Sequence, residues 1–528
     1  MRTVWLVVLL TASVANAMSL ASTPLWIYPD SVDYIQLAGG IVDDGNWSHE
    51  LFLIRPPGYP LLLAALFRLF GPASPIALQV VQHAMNVAIA LLASAVAWHV
   101  SRGRWTALLT GVGTAASLQV LAYANLVLTE TSYLLCFSAC AFALVRAVGD
   151  QRLRWLVLAS TLAGIGWLFK PVAVCLACGC GLTGAWLALS SRTPRDSTAP
   201  DAVRRRSTPL ARIAWPALAA IVPVLLVTLP WHLHGARLHK ANGTNRTLDY
   251  VLYLRAVTFD GLDAPGSAAL NDIKAVVEEG KAAGILTTNA THRDRGTVMK
   301  VYARLRGAGF AECCAVMGEA GRDVMQAHRR SIALNTLRYA AWMILQPDPV
   351  YRFLPGGAPG VDGKRALDAD IYESSTYSSG PGSWEPLLRR YEQHLPLSPD
   401  ARSLTPMWTA MVTWFHNTVD QRPGLLGVGG SRFADMAILC VVGLGCGVLR
   451  RDAAAWRLLV VLVGAHILVS AFLGAAQTRY VVIVKPLLIL GAVDMGVRVA
   501  GWACAKSWHG VSRLRGVDTR PVTGAASS

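Results

Sequence analysis

Six charged residues stand at the borders of long apolar runs, where charge is costly and usually functional or paired. Asp30 and Asp33 lie in Tyr28-Pro29-Asp30-Ser31-Val32-Asp33-Tyr34, and Arg55 opens Arg55-Pro56-Pro57-Gly58-Tyr59-Pro60. Glu130 sits in Leu128-Thr129-Glu130-Thr131-Ser132-Tyr133, Lys170 precedes Pro171, and Arg479 lies in Gln477-Thr478-Arg479-Tyr480. A carboxylate at such a place can take a proton from an attacking nucleophile. A guanidinium or ammonium at headgroup depth suits a lipid phosphate. Each residue also has a plainer role open to it. Asp30 after a proline can simply cap a helix, and Arg55 can be an anchor reaching for the interface. Asp30 and Tyr34 are four apart and share a helical face, whereas Asp33 is expected to point away from Asp30.

The Arg-Pro-Pro-Gly-Tyr-Pro run cannot be regular helix, because each proline removes a donor and restricts the residue before it. It predicts a rigid bend that presents Arg55 at the membrane surface. Tyr34, Tyr59 and Tyr480, beside the charged motifs, are the candidate substrate-contacting aromatics.

The elements that must position these residues are membrane helices. The chain has 528 residues, of which 53% are hydrophobic and 15% charged, and a mean hydropathy of +0.41. The apolar residues come in blocks of roughly the length that crosses a bilayer core. About ten spans are predicted, at 4–22, 76–98, 105–125, 130–147, 155–169, 172–190, 212–231, 433–449, 457–475 and 480–499. The fold class is therefore an all-α polytopic membrane protein with an amphipathic first outer loop and a small extracytoplasmic domain.

The net charge of +16 does not point to nucleic acid. Arg2, Arg102, Arg104, Arg146, Arg152, Arg154, Arg192, Arg195, Arg204, Arg205, Arg206, Arg212, Arg450, Arg451 and Arg457 all fall on one side of the predicted spans. That side is the cytoplasm by the positive-inside rule. The expected division is an N-terminal module 1–231 with outer loop 23–75, an extracytoplasmic domain 232–432, C-terminal helices 433–500 and a cytoplasmic tail 501–528. Helical runs are expected near 267–283, 296–320 and 331–346, with 331–346 and 406–420 lying on or partly in the membrane. Arg2 and Ala15-Asn16-Ala17 resemble a signal peptide, but the apolar run to Ala21 favours an uncleaved first helix. Cys175, Cys178 and Cys180 mimic a metal motif, yet no His or carboxylate is near in sequence and the block is apolar. His83, Asn86 and His466 read as residues that hydrogen-bond one helix to another.

Taken in order, Asp30 and Tyr34 after the first span, Arg-Pro-Pro-Gly-Tyr-Pro, Thr-Glu-Thr, Phe169-Lys170-Pro171 and Arg479-Tyr480 resemble the GT-C glycosyltransferases. The likeness is to the branch of protein O-mannosyltransferases and lipid A aminoarabinose transferases. It is concentrated in residues 25–175, with a weaker match at 477–486. The resemblance implies an inverting enzyme that moves a sugar from a polyprenyl phosphate carrier to a glycan, lipid or protein outside the cytoplasm. It implies catalytic acids at Asp30 and Glu130, with Asp33 secondary, and donor-phosphate contacts at Arg55, Lys170 and Arg479. Members of that branch often carry an acidic residue where this chain has Ser31, and Asp33 is the available substitute. No cofactor is demanded, and a divalent metal is compatible with the acidic set.

The leading rival is a lipid-linked sugar flippase or transporter. Transporters place coupling residues near mid-membrane and show inverted repeats, whereas the charges here gather at one face. An O-antigen-ligase-like transferase and an inert scaffold are further alternatives. The expected location is a bacterial inner membrane, within the cell envelope, with the site on the periplasmic face.

Overall fold

The computed structural model describes residues 1–23, 25, 29–71, 74–190, 209–241, 251–345, 432–449, 454–474 and 478–514, with three isolated positions between 410 and 417. The described residues are helical and contain no strand. Among the described residues, seven helices are long and apolar enough to cross a membrane, and three shorter apolar helices accompany them. This is an integral membrane protein.

The first part of the chain supplies α1 (Arg2–Ser22), α2 (Pro29–Asp43), a 3-10 turn (Glu50–Leu53), α3 (Gly58–Phe70) and α4 (Ser74–Ser101). It continues with α5 (Arg104–Ala115), α6 (Leu118–Tyr123), α7 (Glu130–Asp150), α8 (Leu153–Phe169), α9 (Val174–Ser190) and α10 (Pro209–Ala241). Helix α4 packs against α1, α5 and α7, while α8 packs against α7 and α10. Three internal prolines, Pro216, Pro223 and Pro230, are accommodated in α10. Its surface is largely apolar and exposed, as suits a lipid-facing helix.

Beyond α10 come α11 (Ala268–Ala282), α12 (Arg295–Val301), α13 (Phe310–Ala327) and α14 (Arg329–Leu345). They share a second core built on Tyr253, Leu270, Ile273, Val276, Val298, Met317 and Val324. Ile54, next to Arg55, and Phe472 pack against that core, so the unit abuts the segment that carries Arg55. The chain closes with α15 (Arg432–Gly447), α16 (Ala454–Gly474), a 3-10 segment (Thr478–Val484) and α17 (Lys485–Leu514). Helix α14 lies against α15, α16 and that 3-10 segment. In α15, Gly443 meets the backbone of Gly491 in α17, where a Cβ would collide with the carbonyl oxygen.

Four sequence expectations need correction. The span 105–125 is not one helix: it breaks after Ala115 and resumes as the short α6. Side chains of α4 meet the carbonyls there, Asn86 donating to Val120 and Gln82 to Ala124 and Leu126. The helix expected to stop at 231 runs on to Ala241. The run 296–320 is interrupted around Gly307, whose φ of +62° suits glycine. Finally, α17 continues past 500 to Leu514. The arginines at 192–206, Arg450, Arg451 and nearly all of 406–420 lie outside the described residues.

Candidate functional site

The six charged residues singled out in the sequence meet at one end of the bundle. Their positions in the helices explain why. Asp30 is in the first turn of α2, Glu130 is the first residue of α7, and Lys170 is the residue that ends α8, where Pro171 stops the helix. Arg55 stands in the bend before α3, and Arg479 in the 3-10 segment before α17. The bend is pressed onto the end of α8: a Cβ at Gly58 would lie 2.7 Å from the Leu168 carbonyl oxygen. Only glycine permits that approach, which brings the Arg55 motif alongside Lys170.

The charges alternate in sign along a chain of contacts. Asp33 receives the Arg55 Nε hydrogen at 2.9 Å and lies 2.7 Å from Nη2, so the guanidinium grips it with two nitrogens. The same Nη2 donates to Asp30 Oδ1 at 2.7 Å. The other Asp30 oxygen, Oδ2, accepts from Arg479 Nη1 at 2.8 Å. Arg479 Nε then stands 3.7 Å from Glu130 Oε1, and Glu130 Oε1 accepts from Lys170 Nζ at 2.6 Å. Three acids face three bases, and the formal sum is zero.

Burial is uneven along the chain. The side chains of Glu130 and Asp33 are 2% and 5% exposed, whereas Asp30 is 21% and both arginines 19% exposed. The opening of the cluster is therefore at Asp30. Burial pushes the Asp30 carboxyl upward, but Arg55 and Arg479 outweigh it and hold the group well below the usual carboxylate range. The Arg55 guanidinium is held firmly charged: burial opposes the charge, and Asp30 and Asp33 more than compensate. The Tyr34 hydroxyl is raised above its ordinary value, chiefly by burial.

Two of the three candidate tyrosines join the cluster. Arg55 lies over the Tyr34 ring at 5.3 Å, and Lys170 and Arg479 lie over the Tyr480 ring at 4.6 and 5.6 Å. Tyr59 stands behind them, fully buried, its ring edge-on to Tyr34 and its hydroxyl donating to Gln82 Oε1. Asp33 does not point away from Asp30. Three residues along a helix turn the side chain only about 60° from the starting face, and both carboxylates reach one guanidinium. Asp30 spends its oxygens on the two arginines.

Sequence reasoning marked His83 and Asn86 as residues that hydrogen-bond one helix to another, and so they do, but it missed Gln79 and Gln82 and the stripe that the four form behind the cluster. Gln79, Gln82, His83 and Asn86 recur at helical spacing on one face of α4. Gln79 donates to the Thr23 carbonyl and to Asn125, and Gln82 donates to the carbonyls of Ala124 and Leu126. His83 bridges Asn16 of α1 and Asn125. This stripe fixes the segment that leads into Glu130, and its period in an otherwise apolar span was the available signal. His466 also bridges elements, approaching Tyr133 and Cys175 and meeting the Tyr480 carbonyl at 3.0 Å. It is thus near Cys175 in space though far in sequence. Among the described residues no group of three or more His, Cys, Asp or Glu is placed to hold a metal ion.

Residues 54–231 match the family described as dolichyl-phosphate-mannose-protein mannosyltransferase. The match contains Arg55, Tyr59, Glu130 and Lys170, while Asp30, Asp33, Tyr34, Arg479 and Tyr480 enter the cluster from outside it.

Solved structures similar to the chain include the oligosaccharyltransferase AglB from Archaeoglobus fulgidus, in complex with an inhibitory peptide and a dolichol-phosphate. It is 10% identical, with a TM-score of 0.42, over 98% of this chain and 52% of that one. The chain thus spans about half the length of that protein. ArnT from Cupriavidus metallidurans bound to undecaprenyl phosphate is 14% identical, with a TM-score of 0.35, over 95% and 79% of the two chains. The arabinosyltransferase EmbB from Mycobacterium smegmatis is 14% identical, with a TM-score of 0.32, over 91% and 41%. No curated protein matches the chain.

Proposed function

We propose that this protein is an integral membrane glycosyltransferase that moves a sugar from a polyprenyl phosphate carrier to an acceptor outside the cytoplasm. The observation that carries this reading is the alternating ionic chain at one end of the helices. Its six members come from five separate stretches of sequence, and it has the groups needed to hold a phosphate and to take a proton. The family match over 54–231 supports the same class of chemistry.

The reaction is a single displacement. An acceptor hydroxyl attacks the anomeric carbon from the face opposite the phosphate. The bond from carbon to phosphate oxygen breaks, its electrons leave with the polyprenyl phosphate, and the acceptor's proton passes to Asp30. Departure needs no acid, because Arg55, Arg479 and Lys170 stabilise the leaving anion electrostatically. Asp33 and Glu130 orient Arg55 and Lys170. Tyr34 and Tyr480 back the cations and contact the sugar or acceptor. A divalent metal would compete with these cations for the same carboxylates.

The active site faces the periplasm of a bacterial inner membrane in this reading, and the helical unit 251–345 belongs to an extracytoplasmic domain 232–432. A flippase is disfavoured because the charged groups sit at helix ends and not at mid-depth. Accumulation of one lipid-linked sugar in a deletion strain, and its consumption by purified protein in liposomes with release of polyprenyl phosphate, tests the proposal. Transport of the intact lipid-linked sugar without bond cleavage would support the flippase instead.

A further inference from the structure

The ionic chain poses a problem for the reading just given. Every cation that a donor phosphate needs is already engaged by a carboxylate, and the carboxylate assigned as base is engaged by two cations. Resting on that reading, we propose that the donor's phosphate enters by taking Asp30's place between Arg55 and Arg479. Donor binding itself then releases the carboxylate that accepts the acceptor's proton.

Three observations select Asp30 over the other acids. Asp33 is gripped by two nitrogens of Arg55, and Glu130 is nearly sealed against Lys170. Asp30 is held by one hydrogen bond from each arginine and is the most exposed carboxylate of the three. It yields at the least cost, because its charge is the one nearest solvent when it leaves.

The shapes also agree. Asp30 offers one oxygen to each guanidinium. The two non-bridging oxygens of a sugar phosphodiester can do the same, and each group carries a single negative charge. The exchange keeps one negative charge between the two arginines. Asp33 stays on Arg55 Nε throughout and keeps the guanidinium aimed.

The consequence is an ordered reaction. While both arginines hold Asp30 its proton affinity is low, so it is a poor base. Once the phosphate has taken them, the carboxylate stands beside the donor facing Glu130 of α7, with Asp33 and Tyr34 of its own helix as the remaining ionisable neighbours. Nothing then opposes protonation from the arginine side.

The test is the affinity of the full-length protein, in nanodiscs, for polyprenyl phosphate alone. Asp30→Asn removes the competing charge, so binding should tighten by on the order of tenfold. Asp33→Asn loosens Arg55 and should not tighten it. Unchanged or weaker binding in Asp30→Asn overturns the exchange. Absence of binding in the unaltered protein would instead count against the transferase reading itself. A second measurement avoids substitution altogether. The pH profile of kcat reports the donor complex and that of kcat/KM the free protein. The acid limb of kcat should lie at higher pH than that of kcat/KM for the donor, and coincident limbs overturn the proposal.

Discussion

Arg479 donates to Asp30 across 449 positions of sequence, which ties the last membrane segment of the chain to the loop after the first. The contact closes the cluster: without it, Asp33, Arg55 and Asp30 form one group and Glu130 and Lys170 another. Replacing Arg479 with Gln should therefore affect both groups. Donor affinity should fall by roughly 1.5–3 kcal/mol, the scale of a charged hydrogen bond. Affinity for polyprenyl phosphate equal to that of the unaltered protein would assign Arg479 to scaffolding alone.

Arg55 and Lys170 differ in what their removal leaves behind. Arg55→Ala takes the guanidinium from the nearly buried Asp33, and Lys170→Ala takes the ammonium from the nearly buried Glu130 and leaves it Arg479 at 3.7 Å, so each weakens the compensation of a buried charge. Both variants should bind donor more weakly and also melt earlier than the unaltered protein in the same detergent. The Lys170 variant should lose more stability, because Glu130 is the more sealed of the two acids. Donor binding and melting unchanged in both would remove them from the site.

Acid should weaken the fold through Asp30. Its folded pKa is depressed, so its contribution is fully present above the unfolded value of about 3.9. It is lost as pH falls through the folded value. Thermal unfolding followed from pH 7 down to pH 3 should show a stability loss below about pH 4 that Asp30→Asn shows to a smaller extent. Parallel curves for the two proteins would contradict the strength of the paired state.

The stripe on α4 makes its own prediction. Gln82→Met keeps volume but abandons two backbone carbonyls and the Tyr59 hydroxyl. Each buried group left unsatisfied costs about 1–3 kcal/mol. The variant should be less stable, and turnover should drop because the segment before Glu130 loses its anchor. Normal stability and turnover would show that the stripe positions nothing.

The legible part of this protein was its local chemistry. Apolar blocks give membrane helices directly, and prolines beside charges mark helix ends, which is why Arg55 and Lys170 could be singled out from sequence, while Arg479 stood out as a charge opening the last apolar run. Pairing was not legible, because the contact between Asp30 and Arg479 depends on how α2 packs against a segment more than four hundred residues away. The break at Ser117 was hidden for a related reason. The composition of 105–125 reads as one span, and the side chains of α4 that hold the carbonyls of Val120, Ala124 and Leu126 lie far from it in sequence. Asp33 was misjudged because three-residue spacing keeps two side chains close enough to share one large guanidinium.

The central claim, that Asp30 takes the proton while Asp33 only aims Arg55, is tested most directly by comparing turnover of Asp30→Asn and Asp33→Asn at saturating donor. Asn preserves shape and helix-starting ability, and saturating donor sets aside the change in affinity, so turnover reads the loss of the basic oxygen. Turnover should fall by about 10²–10⁴-fold for Asp30→Asn and only modestly for Asp33→Asn. Normal turnover in Asp30→Asn, or loss confined to Asp33→Asn, would contradict the account.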